Sequence, residues 1–369
     1  LGETRLRELG RMWQHTLASL VGWMILLFFI AQFLLPTVLG PSVQDSAIRE
    51  GMFDFLGIRS YGLLFGILHL SANSLLAGTG KTSPLFISTL IVAVTNIVLD
   101  YVLIFGEWGA PEMGLEGAAL ASVIAEAAGA LFLFLFVLNA HVFQAYELRR
   151  KRNVNRRVFG RLFRVASPLM FQGFLSVGGW TFFFMMIEHM GPHELEVSQV
   201  VHKLYFLALI PIVGFNAATK TYVSNQLAQH DPSAVLKVVR KIILMNLLVL
   251  LLLVHGNILY PEFWIRVVSG NPDVLPDATK LLGLITGSIA IHGVSGVLLN
   301  AISGAGKTHI SMFIEIITIL VYMFYTYMSV MVWDFGLTGV WAAEYVYFVF
   351  IGILSLIWFS KGKWVKQRV

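Results

Sequence analysis

The chain contains the stretch Gly78-Thr79-Gly80-Lys81-Thr82, which an apolar span separates from Gly114-Leu115-Glu116-Gly117-Ala118. A similar order of residues returns as Gly304-Ala305-Gly306-Lys307-Thr308, an apolar span and Gly336-Leu337-Thr338-Gly339-Val340. The copies lie 226 residues apart at the first stretch and 222 residues apart at the second. A repeat with so long a period in an apolar chain indicates two copies of a multi-helix membrane bundle.

The composition indicates a chain that is solvated mostly by lipid. Of the 369 residues 57% are apolar and 13% are charged, and the mean hydropathy is +0.76. A soluble domain carries about a quarter charged residues. The chain has no cysteine, which excludes a disulfide framework and a thiolate metal site. The net charge of +5 lies in short runs between apolar spans, a pattern of membrane topology and not of a nucleic-acid-binding surface.

Ten apolar segments are long enough to cross a bilayer as helices. Their bounds are roughly 16–40, 55–79, 84–105, 114–143, 165–190, 197–225, 238–260, 278–303, 309–332 and 337–360. Helices are expected because the edge of an open sheet finds no hydrogen-bond partner in lipid, and no segment alternates like a barrel strand. The predicted fold class is an all-α polytopic membrane protein.

The loop charges predict the topology. Basic residues cluster before the first span and after the second, fourth, sixth, eighth and tenth, whereas the other loops are mainly acidic. The positive-inside rule then places both ends of the chain in the cytoplasm. Six spans separate the two Gly-x-Gly-Lys-Thr loops, so both loops face the cytoplasm. The two copies are predicted to be parallel repeats, related by a pseudo-twofold axis along the membrane normal.

The repeat also predicts the domain organisation. We expect an N-terminal lobe of four helices at 1–148, a basic cytoplasmic linker at 149–164 and a C-terminal lobe of six helices at 165–369. Four spans precede Gly304 within its lobe, but only two precede Gly78. We therefore expect the intact protein to have twelve helices, two of them before Leu1.

One polar pair stands out inside the third span. Asn96 and Asp100 are four residues apart and share a helix face, and a carboxylate within a membrane helix usually faces a cavity or a partner. Hard oxygen ligands of this kind suit Na⁺, and protonation of the carboxylate would couple the same pair to H⁺. The alternative is an aspartate that water solvates near the outer interface, since Phe105 is only five residues away.

Several other residues within the spans are candidates for cargo binding. Glu126 either serves a cation, by extending the first-lobe site or by binding the cargo, or pairs with a neighbouring helix. Glu315 and Glu344 are candidates to attract cations into the second lobe. Trp180 and Tyr322 either stack on a cationic compound or simply pack.

Two further motifs carry no chemistry in this interpretation. His292 is more simply a hydrogen-bonded packing residue than a titrating group. The Gly-Lys-Thr endings lack the preceding glycine of a phosphate-binding loop, because Leu75 and Ala301 stand there. We expect tight cytoplasmic turns instead.

Three runs resemble the multidrug and toxic compound extrusion (MATE) family of antiporters. They are the run from Ala77 to Pro84, the run from Asn96 to Gly106, and the small-residue run from Gly114 to Ser122. The resemblance implies twelve helices in two lobes that export cationic amphipathic compounds in exchange for Na⁺ or H⁺. In many members an aspartate of the first helix joins an asparagine, an aspartate and a hydroxyl at a cation site.

The resemblance assigns the last three of these groups to Asn96, Asp100 and Ser122, whereas the first-helix aspartate would precede Leu1. Some members carry a glutamate in a Leu-Glu-Val-Gly-Gly run, where this chain has Ser176 in Leu175-Ser176-Val177-Gly178-Gly179. By this resemblance Ser176 is a further candidate for cargo binding.

The expected function is therefore secondary active export of cationic compounds, by a monomer in the bilayer of a bacterial inner membrane. No cofactor other than the coupling ion, no nucleic-acid partner and no enzymatic activity are expected. Two alternatives stay open: a lipid-linked oligosaccharide flippase of the same superfamily, and a truncated fragment that does not transport. A flippase would be expected to line its cavity with Arg and Lys, whereas the ionisable groups within these spans are mostly acidic.

Overall fold

The computed structural model describes residues 3–42, 45–138, 156–228 and 232–361. Throughout these residues the chain is helical, without a strand, and ten helical segments are long and apolar enough to cross a membrane. The ten predicted spans are thus confirmed, and the chain is an integral membrane protein.

The helices of these ten spans follow one another with short connections. They are α1 (Glu3–Phe29), α2 (Ser46–Gly78), α3 (Ser83–Phe105), α4 (Gly114–Leu138), α5 (Arg156–Glu188), α6 (Pro192–Ala228), α7 (Pro232–Val254), α8 (Leu275–Gly304), α9 (Thr308–Met331) and α10 (Ala343–Ser360). Shorter helices occur at Leu35–Leu39, Gly256–Leu259, Pro261–Val268 and Gly336–Trp341.

The first span changes its winding before Pro36. A π-helical segment, Ile30–Leu34, joins α1 to the short helix Leu35–Leu39. Proline lacks an N–H group and its ring crowds the carbonyl four residues earlier, here that of Gln32, so the helix widens locally. The Gln32 amide donates to Gly57 O (3.1 Å) and Ser60 Oγ (2.9 Å), which ties this segment to α2.

The two Gly-x-Gly-Lys-Thr stretches form matching turns. Gly80 and Gly306 adopt positive φ angles of 77° and 74°. The N–H of Lys81 donates to Leu76 O (2.9 Å), and the N–H of Lys307 donates to Ile302 O (3.3 Å). In each turn the glycine with positive φ lets the next N–H group bond to a carbonyl of the last helical turn. These are the tight turns that the sequence predicts.

The chain forms two compact units, Leu1–Leu162 and Phe163–Val369, called here the first and second unit. Of the predicted linker at 149–164, residues 149–155 lie outside the described residues. Residues 156–164 form the first turns of α5. Arginine is a good helix former, and its long side chain reaches lipid headgroups from a helix end.

Small residues bring the helices of the first unit together. Helix α4 packs against both α2 and α3, and its Gly117, Ala119 and Ala121 are buried. A Cβ atom on Gly117 would lie 2.6 Å from the carbonyl oxygen of Leu103 on α3. The run from Gly114 to Ser122 therefore serves close packing, as small residues do in lipid.

Helix α8 is the centre of the second unit. It packs against α6, α7, α9 and α10 and buries Leu281, Leu282 and Ile285. The last span breaks at Ala342, between Gly336–Trp341 and α10. The fully buried Trp341 donates from Nε1 to Ser198 Oγ (3.0 Å), which fixes this break against α6. The break places Glu344 in the first turn of α10.

Candidate functional site

The second unit encloses a cavity of about 240 Å³ between α5, α6, α8, α9 and α10. Its polar and aromatic lining is Gln172, Ser176, Trp180, Tyr205, Asn216, His292, Asn300, Glu315, Tyr322, Glu344, Tyr347 and Phe348. Neither Lys nor Arg occurs among the described residues that line it. The cavity therefore presents acidic, hydroxyl, amide and aromatic groups but no fixed positive charge.

Glu315 is the acidic group that α9 contributes. Its side chain is only 2% exposed. Ser176 Oγ of α5 and Tyr347 OH of α10 donate to its Oε1, the former at 2.9 Å, and Gln172 Nε2 approaches Oε2 at 3.5 Å. All of these donors are neutral, so within the described ranges the carboxyl is hydrogen-bonded without a partner of opposite charge.

Glu344 is the second acid, at the start of α10, and is 3% exposed. Tyr205 OH of α6 donates to its Oε2 (3.3 Å) and Tyr322 OH of α9 donates to its Oε1 (3.1 Å). Tyr322 and Tyr347, which donate to different acids, pack edge to face with ring centroids 5.5 Å apart.

Trp180 forms an aromatic wall of the same cavity. Its ring lies 5.0 Å from that of His202 and 5.7 Å from that of Tyr205. It stacks on Phe184 at 5.8 Å and meets the edge of Trp341 at 6.3 Å. Aromatic faces attract cations, so this wall adds to the pull of the two acids.

Two polar atoms near the lining have no hydrogen-bond partner in the described part of the chain. They are Asn216 Oδ1 and His292 Nδ1, both buried. The ring of His292 stacks on Phe348 with centroids 4.0 Å apart, so it packs as expected, but without the expected hydrogen bond at Nδ1. Orphaned buried acceptors are costly unless a ligand meets them.

The sequence singled out five residues that the structure brings to this cavity: Ser176, Trp180, Glu315, Tyr322 and Glu344. It missed six others, Gln172, Tyr205, Asn216, Asn300, Tyr347 and Phe348. The spacing could have found Tyr347, which follows Glu344 by one helical turn. Tyr325 does not line the cavity. Its hydroxyl donates to Gly339 O (3.2 Å), so its role is packing.

Glu126 lies in the first unit and has a charged partner. Arg59 of α2 donates from Nη2 to Glu126 Oε1 (2.5 Å) and from Nη1 to Oε2 (3.0 Å). This is the bidentate geometry of a strong guanidinium–carboxylate pair. Of the two alternatives for Glu126, the structure has the pairing with a neighbouring helix.

Asn96 and Asp100 share one face of α3 in the first unit. Asn96 Nδ2 and Asp100 Oδ1 are both buried without a hydrogen-bond partner among the described residues. Ser122 lies half-buried on α4, which packs against α3. The unpartnered Asp100 Oδ1 is free to meet a small cation, whereas Asn96 Nδ2 is an N–H donor and does not coordinate one.

Comparisons with known proteins agree with this architecture. The model of the MatE family matches residues 1–102 and 168–328. The probable multidrug resistance protein NorM of Thermotoga maritima is 27% identical over 303 residues, which are 80% of this chain and 64% of that protein. NorM of Agrobacterium fabrum is 25% identical over 74% of this chain and 58% of its own length. The chain thus spans less than two thirds of either relative.

Solved structures share the fold. A structure titled as MATE in complex with MaD3S has a TM-score of 0.87 at 16% identity, and covers 97% of this chain and 79% of its own. An outward-facing multidrug resistance MATE family transporter of the MOP superfamily has a TM-score of 0.85 at 18% identity, with 98% and 82% covered.

Proposed function

Because the chain belongs to the MatE family, we propose that it is a secondary active multidrug exporter. It moves cationic amphipathic compounds out of the cell against an inward flow of Na⁺ or H⁺. The relatives named as multidrug resistance proteins support export in general. The support for a cationic cargo comes from the cavity of the second unit.

The cavity of the second unit carries the proposal. It holds two carboxyl groups that are almost fully buried, and its described lining has no Lys or Arg. A carboxylate in such surroundings is stabilised by a positive charge that enters the cavity, since removal from water costs several kcal/mol per ion. Cationic cargo fits this cavity, with Trp180 as a stacking face.

The coupling ion is proposed to bind at the first unit. Asp100 Oδ1 is buried without a hydrogen-bond partner among the described residues. Asn96 shares its helix face and would ligate the ion through its amide oxygen. Ser122 on the neighbouring α4 is the proposed third ligand. Glu126 is left out of cargo binding, because Arg59 already neutralises it.

The acidity of the cavity favours export of cations over the flipping of anionic lipid-linked sugars. An anionic pyrophosphate would meet Glu315 and Glu344 without a compensating base in the lining. We also propose a monomer in the inner membrane of a bacterium with both ends in the cytoplasm, as the loop charges predict.

The proposal is tested by transport of a fluorescent cation in vesicles that contain the reconstituted protein. Na⁺ and pH gradients are imposed separately. Wild-type protein is expected to move the cation under at least one of them. Glu344→Gln is expected to transport at least tenfold more slowly, because the loss of one buried charge costs more than ~1.4 kcal/mol of binding.

The matched control is Glu107→Gln, which removes an exposed glutamate from the loop between α3 and α4. It is expected to transport like the wild type. Folded wild-type protein that moves no cation under either gradient would refute the exporter function. Equal transport rates of wild type and Glu344→Gln would show that the cavity does not bind the transported cation.

A further inference from the structure

We propose that the cavity of the second unit selects dications, compounds with two positive charges about two helical turns apart. This inference rests on the proposed function and narrows its cargo class. It follows from the number of acids, their separation and the chemistry between them.

Two acids share the cavity, and neither has a charged partner among the residues that the structure describes. Glu315 and Glu344 are 2% and 3% exposed, and their described donors are tyrosine, serine and glutamine side chains. Neutral donors soften the cost of a buried carboxylate but do not cancel it. A single positive charge would neutralise one acid and leave the other uncompensated, whereas two charges on one ligand satisfy both.

Glu126 is a contrasting case. Glu126 also lies within a membrane helix, but Arg59 forms a bidentate ion pair with it. Glu126 is therefore already neutralised, whereas Glu315 and Glu344 have no ion-pair partner in the described part of the chain.

The separation of the acids follows from the helices that carry them. Glu315 and Tyr322 are seven residues apart on α9, which is about 10 Å along the axis and the same face. Tyr322 OH donates to Glu344 at 3.1 Å. Glu344 is therefore reached by a side chain that leaves α9 about two turns, roughly 10 Å, beyond that of Glu315.

Two tyrosine rings in edge contact lie between the acids and offer an aromatic surface to the middle of a ligand. The rings of Tyr322 and Tyr347 lie 5.5 Å apart, and each hydroxyl donates to one of the acids. Aromatic rings favour contact with alkyl chains that carry quaternary ammonium ends. A linear spacer of about six carbons would place two ammonium groups near the two carboxyls.

The test compares the binding of matched probes to the purified protein. Hexane-1,6-bis(trimethylammonium) carries two charges, and hexyltrimethylammonium carries one on the same chain. Ethane-1,2-bis(trimethylammonium) carries two charges that are too close to reach both acids. Affinities are measured by displacement of a fluorescent cation in uncharged detergent.

In wild-type protein the six-carbon dication is expected to bind at least tenfold more tightly than either other probe. Glu315→Gln and Glu344→Gln are each expected to bring the ratio of the two hexyl probes close to one. Glu107→Gln, in an exposed loop of the first unit, is expected to keep the wild-type ratio. The spacer comparison needs no variant, so it holds even where one variant fails to fold.

The outcomes separate this inference from the function on which it rests. If all three probes bind equally, or both glutamine variants keep the wild-type ratio, the selection of dications is wrong while an exporter of single cations stands. If none of the three cations binds and the fluorescent cation does not bind either, the cationic cargo site and the inference fall together.

Discussion

Glu126, Glu315 and Glu344 all lie within membrane helices, but their neighbours give them different chemistry. Arg59 neutralises Glu126, whereas hydroxyl groups surround the other two. Ser176, where some family members carry an acid, here donates to Glu315 of the facing helix. The cavity thus keeps an acid at this place, although a different helix supplies it.

These differences mark the limit of sequence analysis at the residue scale. The sequence identified Glu126, Glu315 and Glu344 as intramembrane acids but could not assign their partners. Arg59 is 67 residues from Glu126, and no local pattern links residues on different helices. The acids can be found in the sequence because a charged group within an apolar span is energetically costly and stands out. Their partners, however, depend on how the helices pack.

The ion pair between Arg59 and Glu126 is expected to stabilise the first unit. Arg59→Leu leaves a half-buried carboxylate unpaired and should lower the free energy of unfolding by about 2 kcal/mol, below the value for a fully buried pair. The double variant Arg59→Leu/Glu126→Leu should recover most of this loss. Thermal unfolding in detergent measures both, and a double variant no more stable than Arg59→Leu would contradict the pairing.

Asp100 is expected to matter for coupling and not for folding. Asp100→Asn keeps the size of the side chain but removes the charge that a cation would meet. We expect cation-coupled efflux to be lost while the thermal unfolding midpoint stays within a few degrees of wild type. Transport assays with separate gradients check this, and wild-type efflux by the variant would exclude Asp100 from the mechanism.

At the scale of elements, the lengths of the apolar segments and the positions of the loops between them predict the ten spans closely. Three features escape them: the π-helical segment Ile30–Leu34, the amphipathic helix Pro261–Val268 and the break at Ala342. The first depends on how the chain relaxes around Pro36. The break depends on the seating of Trp341 against Ser198. Contacts between helices determine each of these features, and the pattern of apolar residues carries no information about such contacts.

Close packing of α3 and α4 is expected to depend on Gly117. A Cβ there would lie 2.6 Å from Leu103 O, so Gly117→Val must push the helices apart. We expect a loss of about 1–3 kcal/mol in the free energy of unfolding. Gly57→Ala is the control, because a Cβ on Gly57 meets no atom within 4 Å. Equal stability of both variants would refute the packing role.

At the scale of the whole molecule, the duplicated turns are the clearest trace of the repeat. The pairs Lys81–Leu76 and Lys307–Ile302 make the same backbone hydrogen bond at positions 226 residues apart. Such agreement supports two copies of one helical module. The cytoplasmic placement of both turns stays a prediction from the loop charges.

The topology can be tested directly because the chain has no cysteine. Single variants Lys81→Cys and Lys307→Cys are expected to resist a membrane-impermeant maleimide in intact cells and to react after permeabilisation. Glu107→Cys and Asp334→Cys, in the opposite loops, are expected to react in both conditions. Labelling of Lys81→Cys but not Lys307→Cys in intact cells would contradict the parallel arrangement of the repeats.

The central claim is that cationic cargo binds in the acidic cavity of the second unit. Photolabelling with a cation that carries a diazirine, followed by mass spectrometric mapping of the modified peptides, tests it most directly. The account predicts modification of cavity residues on α5, α6, α9 and α10, suppressed by excess unlabelled cation and by Glu344→Gln. Suppressible modification confined to the first unit, with none in these four helices, would contradict it.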